Sequence, residues 1–211
     1  MTWQKSTTIS PKRRSTLIFL ASTWTFHRIR QHWTNSISVC AAGISGAKAE
    51  PDEESATNLK EKLWNNETFE QWNEIYNTDA TFVYFTTVTF IPCSKLTHSH
   101  LSASVVVTSM SGIMRHAQGH FSYNAAKGGT VHLTKLMSTE FQKVRVRVNS
   151  TAPGYFQSEM VVKQSGPDMK SELPDEKVQK KGHVSAMRAG SDEEMAQAVV
   201  SVSCMKQRLR S

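Results

Sequence analysis

Glycine and acidic side chains are missing from the first part of this 211-residue chain. No glycine precedes Gly43, and residues 1–48 contain neither aspartate nor glutamate. A glycine-rich turn, which brings backbone N–H groups against a pyrophosphate at a helix N-terminus, therefore has no place before Gly43. The pattern Thr-Gly-x-x-x-Gly-x-Gly does not occur later in the printed sequence either.

Cysteine and long apolar runs are scarce too. The chain has 3 cysteines, Cys40, Cys93 and Cys204, with no Cys-x-x-Cys pair. This favours reduced intracellular thiols over a disulfide framework or a zinc site. The apolar run within residues 16–21 is far shorter than the roughly twenty residues of a membrane span. We therefore expect no metal site and no membrane partner.

Basic residues outnumber acidic ones, which gives a formal net charge of +7. They concentrate in residues 1–48, and lysines recur from 163 to 181. No helix-turn-helix, zinc or RNA-binding pattern accompanies them, so the chain is not predicted to bind nucleic acid. The charge indicates a solvated surface and, where a cofactor binds, attraction for its phosphates.

Residues 1–36 form an atypical basic segment. Their composition is typical of a mitochondrial transit peptide, which is one interpretation. The interpretation that we favour is an altered amino terminus that replaces the usual first half of a fold in a cytoplasmic protein. The length of the chain predicts one domain. We place this domain at residues 37–203, with a basic tail at 204–211.

Residues 103–149 predict one βαβ unit. Residues 103–109 are apolar and β-branched and end in hydroxyl side chains, which is typical of a short buried strand. A turn and a helix follow, and residues 144–149 predict another strand before a Pro-Gly loop. Because ligands of open α/β sheets bind at the carboxyl ends of the strands, we expect a functional site there.

Tyr123 and Lys127 lie four positions apart in the predicted helix. This spacing puts both side chains on one helix face, one turn apart. A nearby ammonium group favours the phenolate, so we expect the pKa of Tyr123 to lie below its usual value of about 10. Such a tyrosine can exchange a proton with a substrate near neutral pH. Taken alone, the pair also fits an exposed tyrosine beside a solvated lysine.

The order of these motifs resembles the short-chain dehydrogenase/reductase family. The matching residues are Ser109 with Gly112, the pair Tyr123 and Lys127, and the run Val-Arg-Val-Asn-Ser-Thr-Ala-Pro-Gly-Tyr-Phe-Gln-Ser-Glu-Met at 146–160. Weaker matches are residues 39–44, which resemble the end of the family's fourth strand, and residues 188–196, which resemble its late helix. The resemblance implies an α/β fold with an incomplete Rossmann-like parallel sheet flanked by helices. The family's glycine-rich first turn and its last strand have no counterpart.

The resemblance also implies roles for single residues. Tyr123 would be the proton donor or acceptor, and Lys127 would lower its pKa and bind the nicotinamide ribose. Ser109 would hold and polarise the oxygen of a small carbonyl or alcohol substrate. The cofactor would be NAD or NADP, which supplies the hydride. The other residues assigned to its nicotinamide end are Pro153, Gly154, Phe156 and Ser158.

One catalytic position departs from the family pattern. Asp79 stands where the family carries an asparagine that completes a water relay to the lysine. A carboxylate at this position is expected to pair with Lys127 and to cancel part of its effect on Tyr123. Each unit by which the pKa of Tyr123 then rises costs about 1.4 kcal/mol of ionisation energy.

Two helices are expected to join copies of the chain. Thr68-x-x-Gln71 has the form of a capping box, and the apolar spacing after it predicts one long helix at 69–96. The resemblance implies that this helix and the one at 121–142 pair with those of a second copy. A second capping box, Ser191-x-x-Glu194, predicts the late helix. Residues 160–183 are predicted as a polar loop, either over the active site or elsewhere on the surface.

The resemblance therefore implies an NAD(P)-dependent oxidoreductase that acts on a ketone or secondary alcohol, including a sugar or polyol. The missing glycine-rich motif supports a second interpretation. In that interpretation the chain is a truncated, catalytically impaired relative with only an oligomerisation or interaction role.

Overall fold

The computed structural model describes residues 37–95, 103–156 and 187–204, together with Val178. Its three strands are β1 Ile37–Cys40, β2 Ala103–Val107 and β3 Arg147–Thr151. Its α-helices are α1 Ala56–Asn66, α2 Phe69–Tyr76, α3 Phe82–Lys95, α4 Phe121–Glu140 and α5 Asp192–Cys204. The strands form one parallel sheet in the order β1–β2–β3. The α/β fold with a parallel sheet flanked by helices is confirmed.

The sheet forms the centre of the described core. Val105 and Val106 on β2 and Val148 on β3 are almost completely buried. One buried cluster joins the strands to α3, to α4 and to the residue before β3. Its members are Cys40, Val83, Val106, Met137, Val146 and Val148. A run of buried β-branched residues without polar alternation is what a parallel strand covered on both faces requires.

The second predicted strand begins three residues later than expected. Residues Phe141–Val144 form a 3₁₀ turn that continues from α4. Arg145 then takes a left-handed backbone conformation with φ of 58°. This reversal ends the helical segment, so pairing with β2 starts at Arg147. A left-handed residue without a glycine is not visible in the strand-like pattern of the sequence.

The long helix predicted at 69–96 is interrupted by a π-helical turn at Asn77–Thr81. Its capping box is confirmed, because Gln71 N–H donates to Thr68 Oγ1 and Thr68 N–H donates to Gln71 Oε1. The π turn lies against α4, where the Thr130 hydroxyl is 2.6 Å from the Asp79 carbonyl oxygen. A π turn inserts one extra residue, and such turns are frequent at functional sites.

The carboxyl-terminal helix also starts as predicted. Glu194 N–H donates to Ser191 Oγ, and Ser191 N–H donates to Glu194 Oε2. Helix α1 was not predicted, and no residue of it is buried, so its apolar pattern is weak. The predicted basic segment at 1–36 and, apart from Val178, the predicted loop at 160–183 lie outside the described residues. No helix in the described part of the chain is long and apolar enough to cross a membrane.

Gly112 lets the turn after β2 touch the backbone of α4. A Cβ at this position would lie 2.5 Å from the carbonyl carbon of Lys127 and 2.7 Å from the nitrogen of Gly128. These atoms are backbone and cannot move aside as a flexible side chain can. Gly112 therefore fixes the distance between the β2 turn and the helix that carries Tyr123.

Gly112→Ala is expected to destabilise the fold by about 1–3 kcal/mol, because overpacking against fixed backbone forces a shift. The matched control is Gly129→Ala, where a Cβ meets nothing within 4 Å. Since Gly129 lies inside α4, its replacement is expected to stabilise by about 0.5–1 kcal/mol. Urea unfolding followed by circular dichroism measures both changes. Equal effects of the two substitutions would contradict the close contact at Gly112.

Candidate active site

The site lies at the carboxyl ends of β2 and β3. Thr108 donates two hydrogen bonds to the Thr151 carbonyl oxygen, from its N–H and from its hydroxyl, each 2.9 Å long. Met110 N–H donates to the Pro153 carbonyl oxygen at 3.0 Å. These contacts bring the loop after β3 beside Ser109, which follows β2. These strand ends are where the sequence predicts a functional site.

Ser109, Tyr123 and Lys127 come together as the spacing predicts. Ser109 lies beside the Tyr123 hydroxyl, close enough to lower its pKa through hydrogen bonding. The Lys127 Nζ atom lies 5.6 Å from the centre of the Tyr123 ring. Lys127 is only 4% exposed, so the alternative of a solvated lysine is wrong. The three side chains form one cluster between the β2 turn and the first two turns of α4.

The expected lowering of the Tyr123 pKa is wrong for the structure as it stands. Burial raises the pKa of Tyr123, the hydrogen bond from Ser109 lowers it, and the negative charge of Asp79 raises it. Removing a phenolate from water is unfavourable, and this effect exceeds the hydrogen bond. The helical spacing shows that Lys127 is a neighbour of Tyr123, but it does not show that Tyr123 is buried, because burial depends on the tertiary fold.

Asp79 is the partner of Lys127. Its Oδ1 atom lies 3.8 Å from Lys127 Nζ, and neither side chain is exposed by more than 5%. Burial raises the pKa of Asp79 to about 6, against the opposing effect of Lys127. Burial also lowers the pKa of Lys127, while Asp79 raises it. The expected pairing of these two residues is present, and the carboxylate partly neutralises the charge of the lysine ammonium group.

The loop after β1 closes over this pair. The Ile44 N–H donates to Asp79 Oδ1 at 2.9 Å. A Cβ on Gly43 would lie 2.9 Å from Lys127 Nζ and 3.0 Å from Asp79 Oδ1, so the glycine leaves the space that the pair occupies. The other carboxylate oxygen, Oδ2, is buried and has no hydrogen-bond partner among the described residues. Ile44 is a site residue that sequence reasoning missed, because a backbone donor leaves no signal in the side chains.

The predicted nicotinamide-binding residues divide into two groups. Pro153, Gly154 and Phe156 lie in the loop beside Ser109, and a Cβ on Gly154 would contact Met110 Sδ at 3.3 Å. Phe156 forms a parallel bridge with Gly190, which ties this loop to the start of α5. Ser158 lies outside the described residues. Three of the four residues therefore lie in one loop beside Ser109, while the printed sequence has no glycine-rich cradle for a pyrophosphate.

Among residues 37–95, 103–156 and 187–204, no group of three or more His, Cys, Asp or Glu side chains is arranged to hold a metal ion. The cluster at the strand ends consists of a hydroxyl, a phenol, an ammonium and a carboxyl group. These groups can hold a substrate oxygen and move a proton to or from it.

The sequence model of the short chain dehydrogenase family matches residues 54–168, which is more than half of the chain. The chain belongs to the short-chain dehydrogenase family. It is 39% identical over 94 residues to an NADP-dependent mannitol dehydrogenase of Alternaria alternata, which covers 42% of this chain and 32% of that protein. It is 35% identical over 104 residues to a sorbose reductase of Candida albicans, which covers 48% of this chain and 36% of that protein.

A solved structure has the same fold. The RhlG/NADP active-site complex of Pseudomonas aeruginosa matches with a TM-score of 0.60 and 18% identity, over 79% of this chain and 58% of that one. At 18% identity, this match shows only that the two chains share a fold. The chain spans about a third of the length of the two sugar-related proteins that it matches.

Asp79→Asn is expected to change how the free energy of unfolding depends on pH. The pKa of Asp79 is about 6 in the folded chain, above the ordinary aspartate value of 3.8. The folded state therefore holds this proton more tightly, and the contribution of Asp79 to the free energy of unfolding falls as pH rises from about 4 to 7. The variant lacks this loss, so its stability relative to wild type should rise by about 1–3 kcal/mol over that range.

Urea unfolding at pH 4, 5, 6 and 7 measures this difference. Glu140→Gln, a change at an exposed carboxyl group at the end of α4, is the control and should show no comparable trend. A difference between Asp79→Asn and wild type that is flat or falls with pH would contradict a raised pKa at Asp79.

Proposed function

We propose that this chain is the catalytic part of an NAD(P)-dependent oxidoreductase that interconverts a ketone and a secondary alcohol, with sugars or polyols as the substrate class. The observation that carries the proposal is that Ser109 and Tyr123 lie side by side next to the buried Lys127. Support for the substrate class comes from the named activities of the mannitol dehydrogenase and the sorbose reductase. Cys40 is a buried free thiol, which supports a cytoplasmic location.

The roles of the residues follow from their chemistry. In alcohol oxidation, the Tyr123 phenolate accepts the hydroxyl proton of the substrate while Ser109 donates a hydrogen bond to the same oxygen. In ketone reduction, the Tyr123 hydroxyl returns the proton to the substrate oxygen. When bound, the nicotinamide accepts or supplies the hydride. Pro153, Gly154 and Phe156, with Lys127, would hold the nicotinamide end.

Asp79 reduces the fraction of Tyr123 that is ionised at neutral pH. A carboxylate raises the pKa of the tyrosine and holds the lysine charge on its own side. The phenolate is the reactive form in alcohol oxidation, so fewer molecules are competent at pH 7. An asparagine would keep an oxygen acceptor for the Ile44 N–H without the negative charge.

Asp79→Asn, in a form of the protein that turns over substrate, is expected to raise kcat for alcohol oxidation at pH 7 by up to about tenfold, the effect of one pKa unit on the phenolate. The pH at which kcat is half-maximal should fall in parallel. Steady-state rates between pH 6 and 10 measure both quantities. Equal or lower turnover in the variant would rule out this role for Asp79.

Tyr123→Phe removes the proton-transfer group while leaving the ring in place. We expect kcat to fall by about 10²–10⁴-fold, which is the usual contribution of a general acid or base. Tyr84→Phe is the matched control, because Tyr84 is 41% exposed on α3 and should leave kcat unchanged. Substantial turnover by the Tyr123→Phe variant would contradict the proposal.

A second candidate function is an impaired relative that serves only in oligomerisation or interaction. The absence of a glycine-rich motif from the printed sequence and the raised pKa of Tyr123 favour it. Titration with NADH and NADPH, followed by nicotinamide fluorescence, separates the two candidates. Saturable binding below millimolar concentration supports the oxidoreductase, and no binding at millimolar cofactor supports the impaired relative.

We also propose that the chain forms homo-oligomers through the helices at 69–96 and 121–142. Exposed apolar side chains on these helices support this, namely Tyr84 at 41%, Phe85 at 58% and Leu136 at 51% exposure. Of the apolar side chains that follow the capping box at Thr68, Ile75 and Val83 are buried in the core. The exposed members remain available for a second copy.

Phe85→Glu is expected to dissociate the oligomer, since a charge would have to be buried without a partner. Light scattering after size-exclusion chromatography measures the mass. Ile113→Glu is the control, because Ile113 is 64% exposed but lies in the turn after β2. A wild-type chain that is monomeric at about 100 µM would contradict the proposed interface, because a dimer with a Kd below this value would be largely associated. An oligomer that survives Phe85→Glu would contradict it as well.

A further inference from the structure

Residues 113–120 form the loop between the turn after Ser109 and the start of α4. The side-chain amide of Asn124, in the first turn of α4, donates to the carbonyl oxygens of His116 at 3.3 Å and Ala117 at 3.0 Å. These two bonds fix the loop to the helix turn that carries the tyrosine of the proposed active site. The loop therefore has a defined course beside that site.

Gln118 is a strained residue of this loop. Its φ is 53°, and the next residue, Gly119, has a φ of 76°. Glycine takes this left-handed conformation readily, whereas a residue with a longer side chain meets a steric penalty. The loop thus holds a glutamine side chain at a position where the backbone alone would favour glycine. Strain of this kind is concentrated at functional sites, which makes the side chain of Gln118 a candidate for a role there.

The Gln118 side chain reaches across to the loop after β3. Its Nε2–H donates to the Tyr155 hydroxyl oxygen over 3.5 Å, which is long for a hydrogen bond between nitrogen and oxygen. The Tyr155 backbone is held separately, because its carbonyl oxygen accepts from Gly190 N–H at 2.9 Å. Both Gln118 and Tyr155 are half-buried. An amide and a phenol thus face each other between two backbone segments that other hydrogen bonds hold in place.

This contact closes a ring of chain segments around the proposed active site. The Met110 N–H, next to the serine, donates to the Pro153 carbonyl oxygen, two residues before Tyr155. Gln118 lies on the other side, shortly before α4 and its tyrosine. From the serine the ring runs through Pro153 to Tyr155, across to Gln118, and along the first turn of α4 to the tyrosine, which lies beside the serine. In the order of these contacts, the pair of Gln118 and Tyr155 lies opposite the two groups that would hold the reacting oxygen.

We propose that Gln118 and Tyr155 determine substrate specificity by hydrogen-bonding a hydroxyl group on the carbon next to the reacting carbonyl. The inference rests on the proposed function and deepens it, because it assigns two residues to the recognition of a hydroxy ketone. A hydroxyl group both donates and accepts hydrogen bonds, and a primary amide and a phenol offer both in return.

The long contact between Gln118 and Tyr155 is the one that a substrate hydroxyl would enter. A primary amide has two N–H donors and a carbonyl oxygen, so one long bond leaves most of its capacity for a substrate. Because neither side chain is charged, the pair suits a neutral hydroxyl group better than a carboxylate or a phosphate, which proteins usually bind with arginine or lysine.

Acetone and hydroxyacetone differ by one hydroxyl group next to the carbonyl, so the ratio of their kcat/KM values measures the recognition of that group. We expect the wild-type chain to prefer hydroxyacetone, and Tyr155→Phe and Gln118→Gly each to lower this preference by about fivefold, the usual effect of one hydrogen bond. The decrease in NADH or NADPH absorbance during ketone reduction measures both rates. Tyr84→Phe, which removes an exposed phenol on α3, is the matched control and should keep the wild-type ratio.

The ratio separates recognition from stability. Gln118→Gly relieves the left-handed strain, so its free energy of unfolding in urea should not fall. A purely structural role of either side chain would lower the turnover of both ketones alike. A ratio that stays unchanged in both variants, or a wild-type chain without preference for hydroxyacetone, would overturn the inference.

A second measurement does not need turnover. The signal of Tyr155 in NMR of ¹³C-tyrosine-labelled protein, assigned with Tyr155→Phe, should shift when hydroxyacetone is added and stay in place when acetone is added. The same response to the two ketones would overturn the inference. Turnover of neither ketone would overturn the proposed function instead, and the Tyr155 signal would then still decide whether this pair recognises the hydroxyl group.

Discussion

The buried pair of Asp79 and Lys127 is the contact on which the site depends. It joins the π turn of the interrupted helix to α4, and the Ile44 N–H joins it to the loop after β1. Three segments that are distant in sequence therefore meet at one carboxylate. Taking two charges out of water is costly, and it is compensated only when the geometry and the remaining hydrogen bonds are good. Here one carboxylate oxygen has no partner within the described residues, so the compensation is incomplete.

The raised pKa of the neighbouring Tyr123 comes first from burial and then from this charge pair. The Lys127 ammonium group favours the Tyr123 phenolate, but it is paired with Asp79. The negative charge of Asp79 also disfavours the phenolate. Burial then acts on all three groups in the direction of their neutral forms. Ser109, Tyr123 and Lys127 therefore lie together, while burial and the carboxylate at position 79 both oppose ionisation of the tyrosine.

Much of this arrangement was predictable from the sequence. The spacing of Tyr123 and Lys127, the capping boxes at Thr68 and Ser191, and the apolar run of β2 all depend on local periodicity, and the structure confirms them. The π turn, the left-handed Arg145 and the direction of the tyrosine pKa were not predictable. They depend on contacts between segments more than thirty residues apart or on a single backbone reversal, neither of which leaves a periodic signal.

The sequence analysis predicted the pairing of Asp79 with Lys127 and the direction of its effect on Tyr123, but the net direction of the Tyr123 pKa depends on burial. The most direct test is the pKa of Tyr123, measured by NMR of ¹³C-tyrosine-labelled protein, with Tyr123→Phe to assign the signal. We predict a pKa above about 10 in the wild-type chain and a lower value in Asp79→Asn. A wild-type value below 10, or a value that does not fall when the carboxylate is removed, would contradict the account.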